Sequence, residues 1–175
     1  RLHPKGYREL HDLLGAAQPR QVAAVADSFV QIEPEDGRIT RSRTQVRVLF
    51  DEISLYVGAF CIENDSTSAI RVQDLRRDFD PANNDLFGVV LDLFFDRRHC
   101  VSFQVNRLGA QRDLQVFDGQ VQDESYDVVW MAHVSECANG WTAEIAIPWR
   151  SLRYPSDAES FGVNFIRIVR NVNEL

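Results

Sequence analysis

The segment from Gly140 to Pro155, GWTAEIAIPWRSLRYP, constrains the fold more than any other stretch of the chain. Trp141, Ala143, Ile145 and Ile147 recur at every second position, with Thr142, Glu144 and Ala146 between them. A period of two marks a strand with one buried face. Pro148 has no N–H to give to a ladder, so the strand stops there or lies at an edge. Trp149, Leu152 and Tyr154 place a second apolar group just past that corner. Ahead of the strand, Asn139-Gly140 is a hairpin dipeptide, because both residues tolerate positive φ.

The same alternation recurs from Thr44 onward. Val46, Val48 and Phe50 form one set, Val101, Phe103 and Val105 another, and Val128, Trp130, Ala132 and Val134 a third. Leu55 to Ile62 and Phe87 to Phe94 are mostly apolar runs, and Leu114 to Phe117 and Phe161 to Val169 are also strand-like. Short turn clusters separate most of these, so neighbouring strands are antiparallel. About eight or nine strands with little helix predict an all-β, antiparallel β-sandwich of jelly-roll or immunoglobulin-like kind. Tyr7 to Leu14, ended by Gly15, reads as a short helical segment. The division is then an irregular or helical stretch over 1–27 and a sandwich domain over 28–175. Asn64 to Asn84 is a long polar loop of the kind that carries function.

At 175 residues, 45% of them hydrophobic, with 11 Phe and 3 Trp, the chain can bury one ordinary core. Its net charge of -7 argues against a dedicated nucleic-acid binder, which needs an excess of Lys and Arg. No apolar run approaches the about 20 residues of a membrane helix. The first residues show no basic stretch leading into an apolar one, so no signal peptide is expected and the chain reads as a fragment or a mature form. Cys61, Cys100 and Cys137 form no CxxC pair, which disfavours a zinc site. Cys61 and Cys100 read as small buried thiols, with one disulfide open in an oxidising compartment.

No nucleophile, phosphate-loop or dinucleotide motif is present. Asp78, Asp80, Asp85, Asp92 and Glu144 are numerous enough for the carboxylate pair of a glycosidase, but spacing brings no two of them together. Asp80, Asn84 and Asp85 make an oxygen-rich cluster, a candidate for structural Ca2+. Sugars offer flat C–H faces to aromatic rings and hydroxyls to planar polar groups. Trp130 and Trp141 fit the core phase. Trp149, Tyr126 and Tyr154 do not, and are the candidate stacking residues. Arg77, Asn106 and Arg170 lie near strand ends and are candidate hydrogen-bonding partners.

Taken in order, TQVRVLFDEISLYVGAFC, RRDFDPANNDLFGVVLDLFFDRR, FQVNRLGAQRD, GWTAEIAIPWRSLRYP and FGVNFIRIVRNVNE resemble the family-nine carbohydrate-binding-like domain. That domain stands at the N-terminal end of large bacterial proteins whose C-terminal region is expected to form a β-barrel. Arg76-Arg77-Asp78 matches the family's RRD, Asn84-Asp85 its acidic pair, and Val105-Asn106 its VN. The resemblance implies a jelly-roll-like sandwich that holds sugar without catalysis, between aromatic side chains and polar partners, with structural calcium. It also implies a secreted or cell-envelope protein (periplasm or outer membrane) linked to carbohydrate catabolism. Three departures stand out. GAAQPRQVAAVADSFVQ lacks the family's early tryptophan, Leu93 replaces a proline, and Asn84 replaces the first of two acids. Two alternatives therefore stay open: a module docking on its own barrel with no sugar site, and a glycoside hydrolase or its accessory domain.

Overall fold

The computed structural model describes residues 25–63, 72, 74–170 and 175. The helical segment expected at Tyr7 to Leu14 lies outside them. Ten strands run in chain order: β1 (Val25–Ala26), β2 (Thr44–Phe50), β3 (Ser54–Ile62), β4 (Leu86–Asp92), β5 (Cys100–Asn106), β6 (Gln111–Phe117), β7 (Val121–Asp123), β8 (Met131–Cys137), β9 (Gly140–Pro148) and β10 (Gly162–Ile168). Short 3-10 turns occupy Pro81–Asn83 and Trp149–Ser151. Two five-stranded sheets result, in the orders β1-β2-β3-β9-β8 and β10-β4-β5-β6-β7. All the strand pairings are antiparallel. The fold is the antiparallel sandwich that the alternation predicts. β1 and β7 are short edge strands, and β7 lies in a stretch too polar and too brief to show a period.

The core lies between the sheets. The inward phase of β9, Trp141, Ala143, Ile145 and Ile147, is completely buried. It faces Phe87, Val89 and Leu91 of β4 and Val101, Phe103 and Val105 of β5. Trp130 packs edge-on against Phe103 with ring centroids 5.3 Å apart, the geometry aromatic quadrupoles favour. Trp130 and Trp141 are thus core residues, as their phase implies. Val163 shares the inward face of β10 with Phe165, opposite Leu91, yet it is 52% exposed because β10 is an edge strand.

The β8–β9 hairpin closes one residue earlier than the Asn139-Gly140 dipeptide suggests, since Cys137 pairs with Gly140 across Ala138 and Asn139. Gly140 has φ +139°, and a Cβ there would lie 2.0 Å from the Cys61 carbonyl oxygen. Glycine is needed because the backbones approach closely, not because it turns the chain.

A candidate carbohydrate cleft at the sandwich edge

On β6 the inward phase is polar: Gln111 faces Val105, Asp113 faces Phe103 and Gln115 faces Val101. Polar groups can stand there because the segment leading into β8, rather than the opposing sheet, covers this edge. Asp113 is fully buried in its side chain and accepts from the backbone N–H of Val128 at 2.9 Å. Arg77 supplies its counter-charge. Burial pushes the Asp113 carboxyl up, against the pull of that N–H and that guanidinium.

Beyond Asp113 the covering is incomplete, and a cleft of about 420 Å³ opens. Its floor is a single cross-strand row. Leu91 pairs with Val101, Val101 with Gln115, and Gln115 with Asp123. The row passes from aliphatic to amide to carboxylate across four strands. Tyr126 and Val128 from the crossing segment form one wall, Ser151 and Arg153 past β9 another, and Phe94 and His99 stand at its rim.

Some polar groups of this cleft keep spare hydrogen-bonding capacity, while His99, Asp127 and Ser151 are already paired. Asp123 uses Oδ1 to accept from Ser125 N at 2.9 Å and Ser125 Oγ at 2.6 Å, which holds its carboxyl below the usual range. Its Oδ2 has no partner among the described residues. Arg153 makes no ion pair among them, and the Gln115 amide no hydrogen bond. The Tyr126 hydroxyl reaches only the Ser151 carbonyl, at 3.5 Å. Burial, then the charge of Asp113, pushes this phenol up, against Arg153, so it stays a hydroxyl at neutral pH. At the rim His99 Nδ1 lies 2.6 Å from Asp96 Oδ2, and the ring sits edge-on to Phe117. Bonds from His99 and from the Arg98 N–H take the Asp96 carboxyl down to about 2.

The sequence-predicted contacts separate around this cleft. Tyr126 lines it. Tyr154 is 40% exposed but belongs to an aromatic group with Trp149 and Phe161, with centroids 5.2–6.4 Å apart. Trp149 is half-buried against the core, and its indole N–H donates to the Asp51 carbonyl at 2.8 Å, so it closes a corner. Arg77 is a staple, bonded to Gln111, Asp113, Asp127 and the Val128 carbonyl. Asn106 is completely buried, its Oδ1 accepting from Leu108 N and Ala110 N and its Nδ2 donating to Asp74 O and Asn84 Oδ1. It builds the β5–β6 turn and has nothing left for a ligand. Arg170 caps the Pro81 carbonyl at the opposite end of β4 from the cleft.

Asp80, Asn84 and Asp85 do converge near the start of β4, with Asp74 and Asn106, but their oxygens face the protein's own donors. Asp80 caps the 3-10 turn through Ala82 N. Among the described residues no group of three His, Cys, Asp or Glu side chains is placed to hold a metal ion. None of the five candidate glycosidase carboxylates lines the cleft. The three cysteines are free thiols; Cys137, unlike Cys61, is exposed.

The sequence singled out none of Gln115, Asp123, His99 and Arg153, which line the cleft. The available signal was phase: Gln111, Asp113 and Gln115 occupy every second position of β6, a polar inward row opposite an apolar strand.

No protein-family model matches the chain, and no curated protein matches it either. Solved structures do. A family-nine carbohydrate-binding module from Caldicellulosiruptor kristjanssonii in complex with cellotriose superposes at a TM-score of 0.57 with 13% identity, covering 87% of this chain and 70% of its own. The glucose complex gives 0.57, 16%, 84% and 67%. A Bacteroides uniformis protein described as a carbohydrate-binding candidate gives 0.66 and 10%, over 97% of this chain and 79% of its own. The chain has the fold of family-nine carbohydrate-binding modules. At these identities the likeness concerns the fold alone.

Proposed function

We propose that this protein is a non-catalytic carbohydrate-binding module that takes a short glycan into the edge cleft. The observation that carries the reading is the co-location of two aromatic side chains, Tyr126 and Phe94, with the spare hydrogen-bonding capacity of Arg153, Gln115 and Asp123 Oδ2. A sugar needs this combination: rings for its C–H face, and planar donors and acceptors for its hydroxyls. The neighbouring modules with cellotriose and glucose support the ligand class. The cleft is open to solvent and binding orders a mobile sugar, so affinity is weak. In a longer protein of the cell envelope, or one secreted, such a module holds polysaccharide close to a catalytic or barrel domain.

The test is a glycan array followed by calorimetry with the oligosaccharides that score. Tyr126→Ala and Arg153→Ala each weaken binding about tenfold, the worth of one stacking or charge-assisted contact. Folded wild-type protein that binds no glycan overturns the reading in favour of a docking module. Binding that both variants retain overturns the cleft. Hydrolysis of chromogenic glycosides overturns the non-catalytic assignment.

A further inference from the structure

At the end of β4 remote from the cleft, Asp74, Asp80, Asn84, Asp85 and Asn106 crowd one spot. Calcium takes six to eight oxygens, typically carboxylates and carbonyls pointing inward at one centre. Such oxygens are present, yet they point at N–H groups. Asn84, with no exposed surface, donates its Nδ2 to Asp80 O at 2.8 Å and to Asp74 Oδ2 at 3.2 Å. Asn106 Nδ2 donates to Asp74 O at 2.7 Å. Arg170 caps Pro81 O with Nε at 3.0 Å and Nη2 at 2.8 Å, and its backbone N–H reaches Asp85 Oδ1 at 2.7 Å. The Asp80 carboxylate is taken by Ala82 N and Asn83 Nδ2. Three backbone carbonyls and three carboxylates are thus satisfied by amide and guanidinium donors.

We propose that the Asn84 carboxamide, assisted by Arg170, does in this domain what a bound cation would do, so that the loop before β4 is held without calcium. The NH2 group lies between a carboxylate and a carbonyl. A cation approaching those two oxygens meets its hydrogens, a repulsion with no compensating ligand. Asn84→Asp replaces that NH2 by an oxygen and adds a fourth negative charge to those of Asp74, Asp80 and Asp85. The variant has the oxygens of a cation site and a repulsion that only a cation relieves.

The test compares thermal unfolding of the whole chain in excess EDTA and in excess CaCl2. The wild-type midpoint is the same in both. N84D melts lower than wild type in EDTA and recovers in CaCl2, by about 5–10 °C at a hundredfold excess over its Kd. A wild-type midpoint that falls in EDTA or climbs with CaCl2 overturns the proposal. So does an N84D protein indifferent to calcium, or one that folds in neither buffer. None of these outcomes depends on whether the cleft binds sugar.

Discussion

Replacing Arg77 by methionine separates a structural arginine from a sugar-contacting one. Arg77 bridges the loop before β4 to the buried Asp113 on β6, and touches Asp127 and the Val128 carbonyl on the way to β8. Methionine keeps the packing of the stem and removes the charge. Asp113, with a side chain 0% exposed, then keeps the Val128 N–H and the nearby Trp130 indole, and loses its counter-charge. Breaking a fully buried pair from one side costs about 3–5 kcal/mol. Arg77 itself is 34% exposed, and water screens part of the attraction, so about 2–3 kcal/mol is the appropriate figure here. For a chain of this size that lowers Tm by roughly 4–12 °C. The pH dependence carries the sharper information. The Asp113 carboxyl is already raised in the folded state, and the variant raises it further. A raised carboxyl penalises folding above its folded pKa, and the penalty is relieved as pH falls and the group takes a proton. The deficit of R77M against wild type is therefore full at neutral pH and shrinks on approach to about pH 4. Adding Asp113→Asn to R77M restores most of the loss at neutral pH. Circular dichroism melts across that range decide it. A deficit that is absent, or that does not change with pH, refutes the buried-pair argument.

Three further outcomes follow from the same geometry. Gly140→Ala forces a Cβ to 2.0 Å from the Cys61 carbonyl oxygen, at φ +139°, and costs at least about 2 kcal/mol, read as a Tm drop of roughly 4–8 °C. Trp149→Leu removes the indole bond to Asp51 and part of a half-buried ring, lowering stability by about 2 kcal/mol; glycan affinity measured below the melt stays within about twofold. A complete loss of binding there would move the sugar site from the cleft to the corner. In a carboxyl NMR titration Asp96 has its midpoint at about 2, and His99→Ala moves it up. Because this pKa is depressed, the stabilisation it represents is full above the unfolded value near about 3.9 and is lost as pH falls through the folded one. A wild-type midpoint at the ordinary aspartate value would remove His99 and the loop N–H groups as the cause.

The fold was legible because its strands obey a period of two where they face the core. Trp141, Ala143, Ile145 and Ile147 could be assigned to one buried face from spacing alone, and all four are buried. Val121–Asp123 escaped notice because three polar-flanked residues show no period. The contact residues were harder for a different reason. Residue type says that Asn106 and Arg77 can hydrogen-bond, but not with what. Both turn out to be committed inside the fold, one to a turn and one to a buried carboxylate. Tyr126 was a stacking candidate because it fits no core phase, and it lines the cleft while packing against the core. Arg153 sits next to it only because the turn after Pro148 folds back across the sandwich edge, a contact no local pattern encodes.

The two ends of β4 show why commitment, rather than residue type, locates the site. At its start a dense group of Asp and Asn side chains satisfies itself: nearly every oxygen described there has a named donor. Such a group is worth stability and offers little to a ligand. At its far end the floor row of Leu91, Val101, Gln115 and Asp123 is left open by a covering segment that stops short, and Arg153 stands beside it with no ion pair among the described residues. Unsatisfied polar groups beside apolar surface are costly when buried and cheap when wet, so a fold keeps them only where water, or a ligand that mimics it, has access. A sugar is such a ligand, since its hydroxyls replace water at the polar groups while its C–H faces cover the ring of Tyr126. The cleft's hydration thus becomes the discriminating quantity: Asp123→Leu and Arg153→Leu both leave folding intact, because neither group holds part of the core, and each weakens glycan binding about tenfold. Loss of fold in either variant would mean that these side chains belong to the architecture, and that the cleft is only a seam between the sheets.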